Sequence, residues 1–502
     1  MLKLLKIKTA FAVIVIYCVC MCFILLYFPF KMSVFEAYDN YNKIIMHYKQ
    51  NVISRGNNRL KGYNPNGLII STQGPVRRTE ATWQNTTYAA ERKSGYVDTT
   101  KESVSTGKIL TFSFDEVRDL YSQLQQTRSR HNMINCSKIV IDGDLLELSK
   151  AQQTMKESAR PALDVTFFKN ISNCGHFKKQ RGYITHQLSE KESNFPIAFS
   201  LIVYKDIEQV ERLLRAIFRP QNMYCVHIDL KATTDFIIAI NTITKCFENV
   251  FIAPELLNVT WGTFSVLEAE MVCLRKLLNF KKWKYFINLT GQEFPLKTNK
   301  ELVEILEALD GANVVDGTLL RPSMYDFHRW TLARKPPPHK IRPVKGSVHV
   351  AINRYMADYA VHNAKAQDFY MWLRETSFPD ESFFSSLNYN PNLRINGSFI
   401  GKIEDLPSER FIARYKVWRG FQQPCGGKYE RDICVLGVAD LWRAYHDVGL
   451  FVNKLHLNYQ YLALDCLEEV MHEKTLRQFN DNTTIDTNFY KQLYFVQHKI
   501  IL

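Results

Sequence analysis

The chain has 502 residues, of which 46% are hydrophobic and 13% aromatic, so most of it should fold around one large core or two. This composition excludes a chain that is disordered throughout. The formal net charge of +14 suggests nucleic acid as a partner, but the basic residues are spread along the chain and mixed with acids. A solvated basic surface or a site for an anionic ligand explains the charge equally well.

The N-terminus predicts a membrane anchor. Residues 9–30 carry no charge, and as a helix they would span roughly 33 Å, enough to cross a bilayer. The alternative is a cleaved signal peptide, whose apolar core would be about 7–15 residues long and followed by a small-residue cleavage site. Lys3, Lys6 and Lys8 predict that residues 1–8 are cytoplasmic. We therefore predict a single-pass type II membrane protein with a lumenal or extracellular remainder.

Two residue counts agree with a lumenal chain. Seven Asn-x-Ser/Thr sequons occur, at Asn85, Asn135, Asn170, Asn258, Asn288, Asn396 and Asn482. Three of the 11 cysteines fall in the membrane segment, and the other eight are Cys136, Cys174, Cys225, Cys246, Cys273, Cys425, Cys434 and Cys466. An even number in an oxidising lumen favours four disulfides over metal sites, and the anchor and cysteines together exclude a nucleic-acid-binding protein.

After the anchor, the polar and uneven segment 31–133 predicts a lumenal stem with one helix near residues 114–126. The texture changes at residue 195. Short apolar strands alternate with amphipathic helices through strands 196–204, 223–229, 249–254 and 283–290 and helices 206–218, 233–244 and 262–280. This alternation predicts an α/β domain with a mostly parallel sheet that binds its ligand at the carboxyl ends of the strands.

The pattern is less regular downstream. Residues 333–343 predict a loop because they contain three consecutive prolines, and residues 353–376 predict one helix that ends before Pro379. The stretch "PDESFFSSL" then predicts a further helix. Asp380 would be its N-cap and Glu381 an acid of its first turn.

The candidate chemistry depends on a few charged residues. Asp229 ends a predicted strand, where it could bind a nucleoside hydroxyl or base edge, although a turn Asp is favoured on local pattern alone. The Asp-x-Asp at 142–144 fits a metal–diphosphate motif but lies upstream of the predicted sheet and is more typical of a turn. A diphosphate site without a metal needs fixed cations, for which Arg431 and Lys454 are candidates and surface cations the alternative. Glu381 could serve as a general base or only as a helix-start acid.

Several blocks together resemble the core-2/I-branching enzymes of glycosyltransferase family 14. The blocks are "FSLIVYKDIEQVERLLRAIFRPQNMYCVHIDLKA", "WGTFSVLEAEMVCLRKLL", "WKYFINLTGQEFPLKTNKELVEIL", "PDESFFSSL" and "RDICVLGVADLW". The resemblance implies a GT-A-type fold in residues 134–502, with a Rossmann-like nucleotide-binding half at about 195–300 and an acceptor half at about 301–475. It implies a Golgi enzyme that forms β-1,6 branches on O-glycans from UDP-GlcNAc, with inversion and without a metal or other cofactor.

The resemblance also implies site roles. Glu381 matches the family's catalytic base, and Arg431 and Lys454 match the cations that replace a metal at the diphosphate. The residues that match the nucleotide pocket are Ile202, Val203, Tyr204, Asp229 and Trp261. Asp316 and Arg329 correspond to an acid and an arginine of the acceptor pocket, although a match for the family's basic residue between them is not evident. The disulfides implied are Cys136–Cys466, Cys174–Cys246, Cys225–Cys273 and Cys425–Cys434.

The sequence departs from the family at Thr290, which replaces a free cysteine and creates the Asn288 sequon. Asn288 ends a predicted buried strand, so we expect it to be unglycosylated. The acceptor loops match poorly, which leaves the acceptor open. UDP-glucose and UDP-xylose remain alternative donors, and a non-catalytic glycan-binding relative is the alternative from another functional class. The retention of Glu381, Arg431 and Lys454 together favours an enzyme. The sequence leaves a monomer and a homodimer both open.

Overall fold

The computed structural model describes residues 134–158, 160, 163–317, 328–401, 411–420, 423–481 and 483–502. The predicted cytoplasmic tail, anchor 9–30 and stem 31–133, with its predicted helix, lie outside the described residues. Among the residues that are described, no helix is both long and apolar enough to cross a membrane.

The strands are β1 (Ile197–Val203), β2 (Met223–Ile228), β3 (Val250–Ile252), β4 (Tyr285–Thr290), β5 (Glu293–Pro295), β6 (Val314–Val315), β7 (Val350–Asn353), β8 (Arg414–Tyr415), β9 (Lys428–Glu430), β10 (Ile433–Val435) and β11 (Phe451–Asn453). Six of them form one sheet in the order β3-β2-β1-β4-β7-β6. Strands β3, β2, β1 and β4 are parallel, and β7 runs antiparallel to both β4 and β6. The prediction of a mostly parallel α/β sheet is therefore confirmed.

The α-helices are α1 (Leu145–Glu157), α2 (Val165–Lys169), α3 (Cys174–Arg181), α4 (Glu190–Asn194), α5 (Ile207–Ile217), α6 (Thr234–Thr244), α7 (Phe264–Leu278), α8 (Asn299–Ala308), α9 (Arg354–His362), α10 (Ala364–Trp372), α11 (Phe383–Asn388), α12 (Leu441–Tyr445), α13 (Tyr461–Asp481), α14 (Asn488–Lys491) and α15 (Tyr494–Gln497). The crossover helices α5, α6 and α7 form where the apolar spacing predicts them. Thr233 caps α6, and Asp144, in the predicted turn, caps α1 through its side chain.

The large sheet has a hydrophobic core on each face. Alternate residues of β1 point to opposite sides, so Phe199 and Leu201 join one core while Ala198 joins the other. A third core surrounds the small sheet β5-β11-β8 and the helix α13. Gln209 of α5, the helix after β1, donates to the Leu455 carbonyl and accepts from the Leu457 N–H, which joins this end of the sheet to the segment that follows β11.

Each of the four disulfides lies within one of these cores: Cys174–Cys246 in the first, Cys225–Cys273 in the second, and Cys136–Cys466 and Cys425–Cys434 in the third. These are the pairs that the family resemblance implies. The Cys425–Cys434 bridge closes the loop that contains the β9–β10 hairpin. Among the described residues, the one His/Cys/Asp/Glu cluster with metal-ligand spacing is Cys425, Cys434 and Asp440, and its two sulfur atoms are bonded to each other.

Two local predictions are wrong. Residues 353–376 do not form one helix, because Asn363 adopts an extended backbone, ends α9 and caps α10 by accepting from the N–H of Lys365. Asp380 is not a helix N-cap. It lies inside a short 3₁₀ turn, Pro379–Glu381, and α11 begins later without a side-chain cap. Proline at the first position of the 3₁₀ turn sets this geometry.

Candidate active site

The carboxyl ends of β1 and β2 form an open edge of the large sheet. The parallel register sets Val203 opposite Ile228, so Tyr204 and Asp229 leave the two strands side by side. The backbone N–H of Asp229 donates to the carbonyl of Val203 at 2.9 Å. Asp229 is buried, Ile202 is partly buried, and Tyr204 is 46% exposed. The edge thus combines an apolar strand end, an aromatic ring and a carboxylate.

Asp229 also organises the loops around this edge. Its Oδ1 accepts from the backbone N–H of Lys231 at 3.0 Å and of Val259 at 3.3 Å, and its Oδ2 lies 2.7 Å from Lys231 Nζ. Asp229 therefore stabilises the turn after β2, and this does not prevent its carboxylate from binding a ligand at the edge. The contacts hold the carboxylate in a defined orientation at the edge.

Trp261 is 66% exposed and precedes α7. Gly262 after it has a positive φ of 78°, and a Cβ there would lie 3.0 Å from the ring of Phe378. The N–H of Phe378 donates to the Gly262 carbonyl at 2.9 Å, and the Trp261 and Phe378 ring centroids are 4.9 Å apart. Because Phe378 begins the turn that carries Glu381, the Trp261 loop and the Glu381 turn are in direct contact.

Arg431 and Lys454 lie in the same electropositive region. Arg431 and Asp432 form the two-residue connection between β9 and β10, both with positive φ, which places Arg431 at the tip of the hairpin. Its guanidinium lies 4.9 Å from the Trp261 ring centroid. Burial lowers the pKa of Lys454, and repulsion from Arg431 and Lys205 lowers it further, while Glu430 opposes the shift. The two predicted cations therefore lie close enough for their charges to interact.

Sequence reasoning missed the residues that surround these two cations. Lys428 and Glu430 precede Arg431 in β9, and His456 follows Lys454 by two residues. Glu430 lies within 3.0–3.7 Å of charged or titratable nitrogens on three side chains. The sequence does contain one signal for Lys428 and Glu430: residues two apart in a strand have side chains on the same face.

Glu381 is held in a half-buried position by three contacts. Its Oε2 lies 2.8 Å from Arg329 Nη2, and its side chain is 28% exposed. Its backbone carbonyl accepts from the N–H of Gly346 at 2.7 Å, and its own N–H donates to the Phe378 carbonyl at 3.1 Å. The Arg329 guanidinium lies 4.6 Å from the Phe378 ring centroid. An oriented, partly exposed carboxylate of this kind can accept a proton from a ligand hydroxyl.

Asp316 lies in the same neighbourhood as Glu381. Burial raises the pKa of Asp316 and the charge of Glu381 raises it further, while Lys345 and Lys416 lower it. Lys416 Nζ donates to Ser347 Oγ at 3.2 Å, and burial and the charge of Arg414 lower its pKa to about 8. The basic residues beside Asp316 thus come from the segments near Ser347 and after β8. A search of the chain between Asp316 and Arg329 could not find them.

Two further acids in this region, Asp380 and Glu270, have raised pKa values. Burial and the charge of Glu381 raise the pKa of Asp380 to about 7. Within the part of the chain that the structure describes, Asp380 Oδ1 has no hydrogen-bond partner. Burial also raises the pKa of Glu270 to about 7, although it accepts from Ser200 Oγ at 2.8 Å and from Asn288 Nδ2 at 3.3 Å. We therefore expect Asp380 and Glu270 to titrate near neutral pH.

The sequons differ in accessibility. Asn288 is buried, its Nδ2 donates to the Val348 carbonyl at 2.7 Å and its Oδ1 accepts from the Val350 N–H at 2.8 Å, which leaves no room for a glycan in the folded protein. Asn135, Asn170 and Asn258 are exposed, and Asn396 is partly buried. Asn85 and Asn482 lie outside the described residues.

Comparisons with known proteins identify one family. A model of the core-2/I-branching enzyme family matches residues 197–443. The chain is 34% identical over 370 residues to a zebrafish (Danio rerio) β-1,3-galactosyl-O-glycosyl-glycoprotein β-1,6-N-acetylglucosaminyltransferase 4, covering 69% of this chain and 85% of that protein.

Two mammalian relatives are similar to the same degree. A human β-1,3-galactosyl-O-glycosyl-glycoprotein β-1,6-N-acetylglucosaminyltransferase is 34% identical over 375 residues, covering 68% of this chain and 86% of that protein. A mouse N-acetyllactosaminide β-1,6-N-acetylglucosaminyl-transferase is 35% identical over 327 residues, covering 61% and 80%. The family match and these relatives show that the chain belongs to the core-2/I-branching enzyme family of glycosyltransferases.

Proposed function

We propose that the protein is an inverting, GT-A-type β-1,6-N-acetylglucosaminyltransferase that transfers GlcNAc from UDP-GlcNAc to an O-glycan without a metal ion. One observation carries this proposal. A continuous series of contacts runs from the Arg431 guanidinium through Trp261, Phe378 and Arg329 to the Glu381 carboxylate. A diphosphate held by Arg431 and an acceptor hydroxyl at Glu381 would then share one cleft.

In this proposal Glu381 is the general base. The 6-hydroxyl of the acceptor sugar attacks the anomeric carbon of GlcNAc from the side opposite the diphosphate. The O6–C1 bond forms as the bond from C1 to the phosphate oxygen breaks, and the hydroxyl proton passes to Glu381. In-line displacement inverts the anomeric centre. Arg329 keeps the carboxylate oriented before the transfer.

The departing diphosphate gains negative charge, which Arg431 and Lys454 would neutralise. Arginine presents a planar fork to phosphate oxygens, and lysine a compact point charge. The burial that lowers the pKa of Lys454 also reduces its hydration, so that its attraction to an anion increases. Asp229 and Tyr204, at the strand ends, would contact the nucleoside.

The acceptor site in this proposal comprises Asp316, Arg329 and Lys416. A carboxylate and two cations around the base can accept from and donate to several sugar hydroxyls. We further propose that the chain is a type II Golgi membrane protein anchored by residues 9–30. Support for this comes from the uncharged length of that segment, the lysines before it and the disulfide-rich domain after it.

The experiment uses the full-length chain purified in detergent. Galactosyl-β-1,3-N-acetylgalactosamine on an aryl group is incubated with UDP-GlcNAc or UDP-glucose, with and without EDTA. The expected result is EDTA-resistant transfer of GlcNAc to the 6-hydroxyl, with a loss of at least about 1,000-fold in kcat for Glu381→Gln, which removes a catalytic base. Glu375→Gln, an acid six residues earlier that accepts from the Arg334 N–H, is the matched control.

Each outcome of this experiment has one meaning. Activity in Glu381→Gln comparable to the wild type would refute the role of Glu381. Loss of transfer in EDTA would refute metal independence. Transfer from UDP-glucose alone would replace the donor and leave the base assignment intact.

A further inference from the structure

We propose that Glu430 and His456 are positioning residues of the donor site that couple sugar-nucleotide binding to the uptake of one proton by His456. This inference rests on the proposed function, since it takes the diphosphate to lie on Arg431 and Lys454. Neither Glu430 nor His456 is among the site residues that the family resemblance implies.

Glu430 is an acid that lies beside both proposed phosphate-binding cations. Its Oε2 lies 3.5 Å from Lys454 Nζ, and its Oε1 lies 3.0 Å from Lys428 Nζ and 3.7 Å from His456 Nδ1. Arg431 is the next residue in the chain. A diphosphate bound by Lys454 and Arg431 therefore brings two negative charges beside a fixed carboxylate, and it competes with Glu430 for Lys454.

Glu430 itself does not take the proton that relieves this repulsion. The hydrogen bond from Lys428 lowers the pKa of Glu430, and the charges of Lys454 and Lys428 lower it further. Glu430 therefore stays ionised at neutral pH. Among the neighbouring side chains, His456 is the one whose ordinary pKa, about 6.5, lies closest to neutrality.

His456 is partly buried among cations, and its side chain is 16% exposed. The groups that face it are Glu430 and Lys428 from β9, Lys454 from the segment after β11, and Lys205 from the segment after β1. Burial lowers the pKa of His456, the three lysines lower it further, and Glu430 raises it. Within the described residues, His456 Nε2 has no hydrogen-bond partner. The free protein therefore holds His456 neutral at pH 7.

Binding of the diphosphate reverses this balance. Its two negative charges offset those of Lys454 and Lys205, and Lys454 turns from Glu430 toward the phosphate. Glu430 is then left with His456 and Lys428 as partners, which favours the imidazolium. A proton from solvent adds to the free nitrogen of the imidazole, no other bond changes, and the charged ring pairs with Glu430.

The sign of the pH dependence follows from linkage. The pKa of His456 is below 6.5 in the free protein and rises on binding, so the extra affinity is present below the bound pKa and is lost as pH increases through it. Affinity for UDP-GlcNAc should therefore weaken between pH 6 and pH 8, by at most about tenfold per pH unit for one proton. UDP-GlcNAc is the suitable probe because its diphosphate is a diester and does not titrate in this range, unlike UDP.

The test is isothermal titration calorimetry of UDP-GlcNAc into the full-length chain at pH 7, without acceptor, in buffers of different ionisation enthalpy. The slope of the observed enthalpy against the buffer enthalpy gives the number of protons taken up. We expect an uptake of about 0.3–1 proton for the wild type and near zero for His456→Gln. His362→Gln, a histidine whose side chain is 62% exposed, is the matched control and should behave as the wild type.

A second variant distinguishes the role of the Glu430–His456 pair from the effect of a general loss of structure. Glu430→Gln removes the repelling charge, so at pH 8 it should bind UDP-GlcNAc about 3- to 10-fold more tightly than the wild type, with reduced proton uptake. Tighter binding is an outcome that misfolding does not produce. Wild-type binding without proton uptake, uptake that persists in His456→Gln, or weaker binding by Glu430→Gln would each overturn the inference and leave the donor assignment intact. Absence of UDP-GlcNAc binding in every variant would overturn the donor assignment and the inference with it.

Discussion

Asp380 has an environment that differs from the one its sequence position indicates. In the sequence it precedes Glu381 as an ordinary helix-start acid, yet in the structure burial and the charge of Glu381 raise its pKa to about 7. An unfolded Asp titrates near 3.9, so the unfolded chain releases this proton earlier than the folded chain. The free energy of unfolding therefore loses a contribution as pH rises from about 4 to about 7.

The Asp380→Asn variant tests this environment. Asparagine does not titrate, so the variant should not lose stability through this group as pH rises. Its free energy of unfolding relative to the wild type should therefore increase by on the order of 2–4 kcal/mol between pH 5 and pH 8, at 1.36 kcal/mol per pKa unit. The measurement is urea unfolding of both proteins at pH 5, 6, 7 and 8. Asp310→Asn, an acid whose side chain is 80% exposed, serves as the control. Parallel stability curves for Asp380→Asn and the wild type would contradict the buried, protonated Asp380.

At the scale of elements, the turn around Gly346 determines how the acceptor side of the cleft is assembled. Gly346 donates from its N–H to the Glu381 carbonyl at 2.7 Å. A Cβ at this position would overlap both the Asp316 carbonyl oxygen and Ser385 Oγ. The absence of a side chain at residue 346 therefore allows Asp316 and the Glu381 turn to approach one another.

The Gly346→Ala variant should separate these two elements. A displacement of about 1 Å at a catalytic group can lower the rate about 100-fold, so kcat should fall by at least that factor. The KM for UDP-GlcNAc should stay within about threefold, because the donor residues lie on other segments. Gly175→Ala, where the nearest atom to the added Cβ is Asn173 Oδ1 at 3.3 Å, is the control. A large rise in the KM for the donor with kcat unchanged would contradict this division of the cleft.

The elements that the sequence predicts correctly are those with a strong local period. The strands and crossover helices from β1 to β4 follow from alternating apolar runs, and their parallel order follows from the alternation itself. The helix break at Asn363 was missed because one Asn within an apolar period is a weak local signal. Lys416 and the Glu430–His456 pair were missed because their partners are more than 20 residues away in sequence. Glu381 was identified by its resemblance to the family, since its local pattern is equally typical of a helix start.

At the scale of the whole molecule, two disulfides have different expected roles. Cys136–Cys466 joins residues 330 positions apart, whereas Cys425–Cys434 joins residues 9 apart around the Arg431 hairpin. A disulfide reduces the conformational entropy of the unfolded chain, and this reduction grows with the logarithm of the number of residues in the loop that it closes. The long bridge would contribute about 6 kcal/mol and the short one about 3 kcal/mol.

Removing each disulfide should therefore separate stability from donor binding. The Cys136→Ala/Cys466→Ala variant should show the larger loss in the free energy of unfolding, with the KM for UDP-GlcNAc of the remaining folded protein within about twofold of the wild type. The Cys425→Ala/Cys434→Ala variant should lose less stability but raise that KM at least about tenfold, because the hairpin no longer holds Arg431 against Trp261. The measurements are urea unfolding and donor kinetics at a temperature where all proteins are folded. An unchanged KM in the second variant would mean that the β9–β10 ladder positions Arg431 without the disulfide.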